Sequence, residues 1–200
     1  MRGVWCRETT RQSAYGAVSA SFTVPLTRIP LPWSVCRLSE PKKSRTRQGA
    51  SAANGAIRRF KYAGASWLAR PLGKLLAGTA RGYAGSVHAV VPLALHPRKL
   101  RARGYNPAAL LARAVARELD VPLRTSWLRR ERGTRSQAGL TRDARLANVR
   151  GAFRAPAIRA CRLLLVDDVR TTGATLAEAA ATLAARGHTV QTLALAWSEG

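Results

Sequence analysis

The pattern of apolar positions changes character part-way along the chain. Residues 1–55 keep neither a helical nor a strand period: Pro25, Pro30, Pro32 and Pro41 interrupt them, a basic polar run covers 41–48, and small residues fill 49–55. This segment reads as poorly ordered or diverged, with the folded domain spanning residues 56–200. Residues 56–81 predict a basic helical segment whose apolar side is Ile57, Phe60, Trp67, Leu68, Leu72, Leu75 and Leu76. Gly64, Pro71 and Gly73 break or kink it.

Beyond residue 86, short aliphatic runs alternate with helical periods. Residues 87–91 predict a buried strand ended by Pro92. Asn106 followed by Pro107 is a helix start, an N-cap acceptor before a residue preset for the first turn. Leu110, Leu111, Ala114, Val115 and Leu119 then share one helical face. Residues 123–128 predict a second strand, and 129–153 a long basic connection with a short helix near 141–148. Residues 163–166 form a continuous aliphatic run, the pattern of a strand buried on both faces of a parallel sheet. A Thr/Gly turn, a helix over 176–186 ended by Gly187, and a strand over 190–197 complete the series. Strands alternating with helices specify an α/β fold with a mostly parallel central sheet flanked by helices, Rossmann-like in layout.

Charge adds a second layer. The 200 residues carry 34 Lys plus Arg against 10 Asp plus Glu, a net +24, and no acid lies between residues 41 and 117. The excess is regional: residues 98–154 hold 15 basic and 4 acidic side chains, whereas 155–200 hold 4 of each. Such a potential concentrates polyanions, although charge alone does not separate a nucleotide-like ligand, a nucleic acid and simple solubility. No run approaches the ~18 apolar residues of a membrane span. Three cysteines without a C-x-x-C pair exclude a disulfide scaffold. A cytoplasmic protein is expected.

The chemistry concentrates at Leu165-Val166-Asp167-Asp168-Val169-Arg170-Thr171-Thr172-Gly173-Ala174-Thr175. A buried strand here delivers two adjacent carboxylates to its C-terminal end, where ligands of open α/β sheets bind. The Thr-rich turn opens a helix whose amides and hydroxyls can wrap a phosphate. A plain Asp–Thr capping turn is the alternative, but a cap needs one acceptor, not two acids and three threonines.

This stretch resembles the phosphoribosyl-pyrophosphate (PRPP) motif of type I phosphoribosyltransferases. Arg103-Gly104-Tyr105-Asn106, the string Gln137, Leu140, Arg145, Asn148, Gly151 and Phe153, and Lys61-Tyr62 with Gly64 resemble the ComF subfamily. The resemblance implies a type I phosphoribosyltransferase-like fold. In it Asp167 and Asp168 would hold the ribose hydroxyls, the first through Mg²⁺-bound water, and Thr171, Thr172, Gly173, Ala174 and Thr175 would cradle the 5′-phosphate. Residues 92–96 would form the pyrophosphate loop, with His96, Arg98, Lys99, Arg101 and Arg103 near the leaving group. Residues 132–148, with Gln137 and Arg145, would be a flap closing over the site.

The resemblance is incomplete. Ala94 replaces a proline of the pyrophosphate loop, residues 86–88 lack an expected Asp, and Pro107 stands where Gln is preferred. Cys6 and Cys36 cannot rebuild the four-cysteine zinc module of many family members, so no zinc is expected. His88 and His188 read as packing or turn residues, Cys161 as a small buried side chain, and Trp67, Trp127 and Trp197 as core with no stacking platform. Two functions are implied: transfer of ribose 5-phosphate to a nitrogenous acceptor, and accessory binding of single- or double-stranded DNA in competence. An ordinary purine or orotate salvage enzyme fits less well, because the flap is ComF-like. The resemblance leaves room for a homodimer.

Overall fold

The structure is a computed structural model that describes residues 33–35, 47–133, 142–170 and 173–197. In chain order they form strand β1 (Trp33–Val35), helices α1 (Arg47–Tyr62) and α2 (Ala69–Ala80), strand β2 (Ala89–Pro92), and helices α3 (Pro97–Arg103) and α4 (Pro107–Glu118). Strand β3 (Arg129–Arg130), helix α5 (Arg142–Val149), strands β4 (Phe153–Arg154) and β5 (Arg162–Arg170), helix α6 (Ala174–Ala184) and strand β6 (Thr189–Trp197) follow.

Four strands make one parallel sheet in the order β1-β6-β5-β2, and β3 pairs with β4 in a separate antiparallel ribbon. The expected parallel α/β architecture is therefore present. Leu163, Leu164, Leu165 and Val166 are fully buried, as a strand covered on both faces requires. Leu164 and Val166 of β5 join Leu193 and Leu195 of β6 in one cluster with Leu72 and Leu76 of α2 and Leu111 and Val115 of α4. Alternation along β5 then turns residues 163 and 165 to the opposite face, and α6 packs against β5 and β6.

The helix breaks fall where backbone chemistry puts them, with one exception. Gly64 at φ +67° separates α1 from the next turn. Pro71 lies in the first turn of α2, where its missing N–H has no intrahelical partner to lose. Gly73 is not a break. It is buried inside α2, and a Cβ there would sit 2.9 Å from the Ala114 Cβ, so its lack of a side chain lets α2 approach α4. Asn106 caps α4 as expected, its Oδ1 accepting the Ala108 N–H at 3.1 Å.

Several expectations are corrected. Helix α1 starts at Arg47, because its first half carries small and polar residues that give no apolar period, and β1 is too short to show alternation. Trp67 is 69% and Leu75 51% exposed. Both lie beyond the break at Gly64, where the helical face is no longer the one α1 buries. Residues 123–128 do not form a strand. Leu123 makes a single parallel bridge to Val90 before the chain turns, and β3 takes the pairing instead. Helix α3 went unforeseen because it buries no residue and so has no apolar stripe. His188 follows the turn that ends α6, and it is also buried: its Nδ1 accepts the Cys161 N–H at 3.1 Å, and its ring stacks on Trp127 at 6.2 Å. Trp127 is only partly buried. Cys161 is buried, and His88 uses its Nδ1 to accept the Arg162 N–H.

Candidate functional site

Strand β2 stops at Pro92, opposite Val166, and the Leu93 N–H donates to the Val166 carbonyl at 2.8 Å. Strand β5 runs on for Asp167, Asp168, Val169 and Arg170, with β6 as its partner. The acidic pair therefore stands just past the end of a neighbouring strand, at the carboxyl edge of a parallel sheet, where such folds open a crevice.

Both acids are largely buried, at 8% and 7% exposure. Main-chain donors hold them: the Asp168 N–H donates to Asp167 Oδ1 at 2.8 Å and the Val169 N–H to Asp168 Oδ1 at 2.7 Å. Asp168 shares the parity of Leu164 and Val166, so it turns to the face covered by the N-terminal helices. There Lys61, from the last turn of α1, places Nζ 3.1 Å from Asp168 Oδ1. Burial, and then the neighbouring Asp168 charge, hold the Asp167 carboxyl well above the usual carboxylate range, with Lys61 opposing them in part.

Arg130 is coupled to Asp167, and Lys99 to Arg130 and Arg103. Burial pushes the Arg130 guanidinium down and the Asp167 charge pushes it back up. Lys99 is lowered by burial, then by the charges of Arg130 and Arg103. Lys99 and Arg103 are four residues apart on α3, which sets them on one helical face. Arg98 and Arg101 are exposed on the same helix and make no described contact with this group. His96 is the N-cap of α3, its Nδ1 accepting the Arg98 N–H at 3.2 Å.

The Arg-Gly-Tyr-Asn string is a clamp between this helix pair and α1. Arg103 lies 5.2 Å over the Tyr62 ring, and Gly104 ends α3 in the left-handed conformation at φ +82°. The Tyr105 hydroxyl donates to the Phe60 carbonyl, and the two rings sit 5.8 Å apart. Asn106 caps α4 while its Nδ2 donates to the Leu93 carbonyl at 3.0 Å. Four consecutive residues thus fix the pyrophosphate-loop candidate and the helix that delivers Lys61.

The flap candidate rises from the β3–β4 ribbon. Its base is closed by Arg132, which donates to the Asn148 carbonyl at 3.3 Å and also to the Arg150 carbonyl. Gly133 packs on His96: a Cβ there would meet the imidazole at 3.3 Å. Gln137 lies outside the described residues, Arg145 sits on α5 with its side chain outside them, and Thr171 and Thr172 are outside them too. Gly173 takes φ +78° at the start of α6, a conformation that suits glycine, and Ala174 and Thr175 open the helix. Sequence reasoning named Lys61 only within a resemblance and missed Arg130, which nothing in a crowd of arginines distinguishes.

Among the described residues no three His, Cys, Asp or Glu side chains group to hold a metal ion. Two adjacent buried carboxylates instead fit a Mg²⁺ ion that keeps its waters and takes further oxygens from a phosphorylated ligand. Cys6 and Cys36 lie outside the described residues, and no described helix is long and apolar enough to cross a membrane.

No family model matches the chain. It is 36% identical over 132 residues to competence protein F of Haemophilus influenzae, covering 61% of this chain and 57% of that protein. Over that stretch the chain is similar to competence protein F. The DNA utilization protein YhgH of Escherichia coli K12 is 33% identical over 99 residues, covering 49% of this chain and 44% of that one. The chain thus spans about half the length of the curated ComF-type relatives it matches. Two solved structures are similar in fold. One is a Bacillus subtilis glutamine PRPP amidotransferase (TM-score 0.43, 21% identity, 64% of this chain and 26% of that one). The other is an orotate phosphoribosyltransferase from Aeropyrum pernix (TM-score 0.35, 19% identity, 74% and 72%).

Proposed function

We propose that this ComF-type chain is a cytoplasmic, PRPP-binding phosphoribosyltransferase-like protein that moves ribose 5-phosphate onto a nitrogenous acceptor and releases pyrophosphate. The observation that carries this reading is the buried Asp167–Asp168 pair at the open end of β5, with a left-handed Gly173 leading into α6 just after it and the Arg130 guanidinium within electrostatic reach of Asp167.

In the reaction the anomeric C–O bond breaks and its electron pair leaves with pyrophosphate, while the acceptor nitrogen forms the new bond. Positive charge grows on the ribose and negative charge on the leaving group. Asp167 and Asp168 would orient the ribose hydroxyls and face the growing positive charge, while Lys99, Arg103 and Arg130 receive the pyrophosphate oxygens. Mg²⁺, when bound beside Asp167, would neutralise part of the diphosphate charge. The turn from Thr171 to Thr175 would hold the 5′-phosphate, and a closed flap over 132–148 would keep water from the donor. Screening purine, pyrimidine and pyridine bases for PRPP-dependent pyrophosphate release tests the reading. Release with one base class supports turnover, and no release with any base sinks it.

A second reading has its own observation. Tyr62 (74% exposed) and Trp67 stand out from the surface, on a stretch that also exposes Arg58, Arg59, Arg70 and Lys74. Aromatic faces among cations suit a DNA strand. Names such as DNA utilization protein among the relatives agree with accessory DNA binding. Such binding weakens steeply with salt. An affinity for oligonucleotides that ignores salt, or that survives Trp67→Ala unchanged, counts against it.

A further inference from the structure

Lys61 stands outside the phosphate-binding motif, yet its ion pair with Asp168 is shielded from solvent. Its side chain and that of Asp168 are 21% and 10% exposed, whereas Arg154–Glu131 is exposed on both sides and Arg81 on one. Its neighbours in the chain are held on both sides, Phe60 through its carbonyl by the Tyr105 hydroxyl and Tyr62 beneath the Arg103 guanidinium. The lysine is therefore presented to the acidic pair by a braced turn.

Two adjacent carboxylates in a buried crevice need positive charge nearby, because each destabilises the other and neither is well hydrated. Usually a divalent cation or a proton would supply it. Here the ammonium already sits at hydrogen-bonding distance from one acid, and a divalent ion entering the bare site would meet that like charge. We propose that Lys61 is a built-in counter-ion that neutralises Asp168 in the ligand-free site and keeps out a divalent cation, so that the cation enters only with its diphosphate ligand. This rests on reading the acidic pair as a sugar-phosphate site. It adds a positioning residue and an order of entry to that reading.

The test is thermal melting of the full chain with Mg²⁺ alone, against a NaCl control of equal ionic strength, in wild type, Lys61→Met and Lys61→Arg. Wild type and Lys61→Arg are expected to shift by less than about 1 °C at 10 mM Mg²⁺. Lys61→Met should melt lower without the ion and rise by roughly 3–6 °C with it, the response to a ligand at about ten times its dissociation constant. A folded Lys61→Met that responds no more than wild type overturns the proposal, as does a wild type that shows the same rise. If Lys61→Met fails to fold, the pair is measured against Asp168→Asn. Lys61→Met/Asp168→Asn should then melt within about 2 °C of Asp168→Asn alone, since the charge to be neutralised is gone. A far lower midpoint assigns Lys61 to packing and also overturns the proposal. Wild-type titration with PRPP plus Mg²⁺ tests the underlying reading separately: absent heat there removes the sugar-phosphate site and leaves the Mg²⁺-alone result standing by itself.

Discussion

At the scale of single residues, Asp167 is where function and stability pull apart. Its carboxyl is held well above its ordinary value by burial and by Asp168, so the folded chain binds that proton more tightly than the unfolded chain, whose value is near 3.9. The stabilising contribution is complete below the unfolded value and is lost as pH rises through the folded one. Asp167→Asn removes that loss. Its thermal midpoint is expected to exceed that of wild type by a few degrees at neutral pH, with a flatter slope from about pH 4 upward. A midpoint below wild type at pH 7 contradicts this account of the site. Gly133 offers a subtler probe. Gly133→Ala presses a methyl group on the His96 ring, so a shift in the His96 imidazole NMR signals is expected without loss of fold, and unmoved signals contradict the contact.

At the scale of elements, the elbow between α3 and α4 ties the site together. Tyr105→Phe removes the hydroxyl that α1 relies on through the Phe60 carbonyl, a change expected to cost about 1 kcal/mol in urea unfolding. Hydrogen exchange in the last turn of α1 should accelerate alongside. Unchanged exchange there would separate α1 from the elbow. Packing of α2 on α4 has a similar handle. Gly73→Ala should destabilise by roughly 1–3 kcal/mol because its Cβ meets Ala114, and Ala114→Gly should recover much of that loss. If the double variant is no more stable than Gly73→Ala alone, the close approach is not the cause. Elements with a strong period or a named cap were legible in the sequence: β2, α4, β5, α6 and β6. Those that bury little were not. Helix α3 has no apolar face and is set by Pro97 and its His96 cap, and the first half of α1 is too small-residued to show a stripe.

At the scale of the whole molecule, the net charge of +24 divides into parts with different duties. Lys99 and Arg103 share one face of α3, Arg130 is coupled to Asp167, Lys61 is committed to Asp168, and Arg132 closes the flap base. Tyr62 and Trp67 mark a separate outer face near Arg58, Arg59, Arg70 and Lys74. The acidic pair was legible because neighbouring acids are rare in so basic a chain. Lys61 and Arg130 were not, because each comes from a distant element and only the folded topology brings it to β5.

The most direct test of the central claim is calorimetric titration of the full chain with PRPP in the presence of Mg²⁺, beside Asp167→Asn/Asp168→Asn. Saturable one-site binding to wild type, weakened at least tenfold in the double variant, is predicted. No heat with wild type, or equal affinity in both proteins, would contradict the assignment of this acidic pair to a ribose-phosphate ligand.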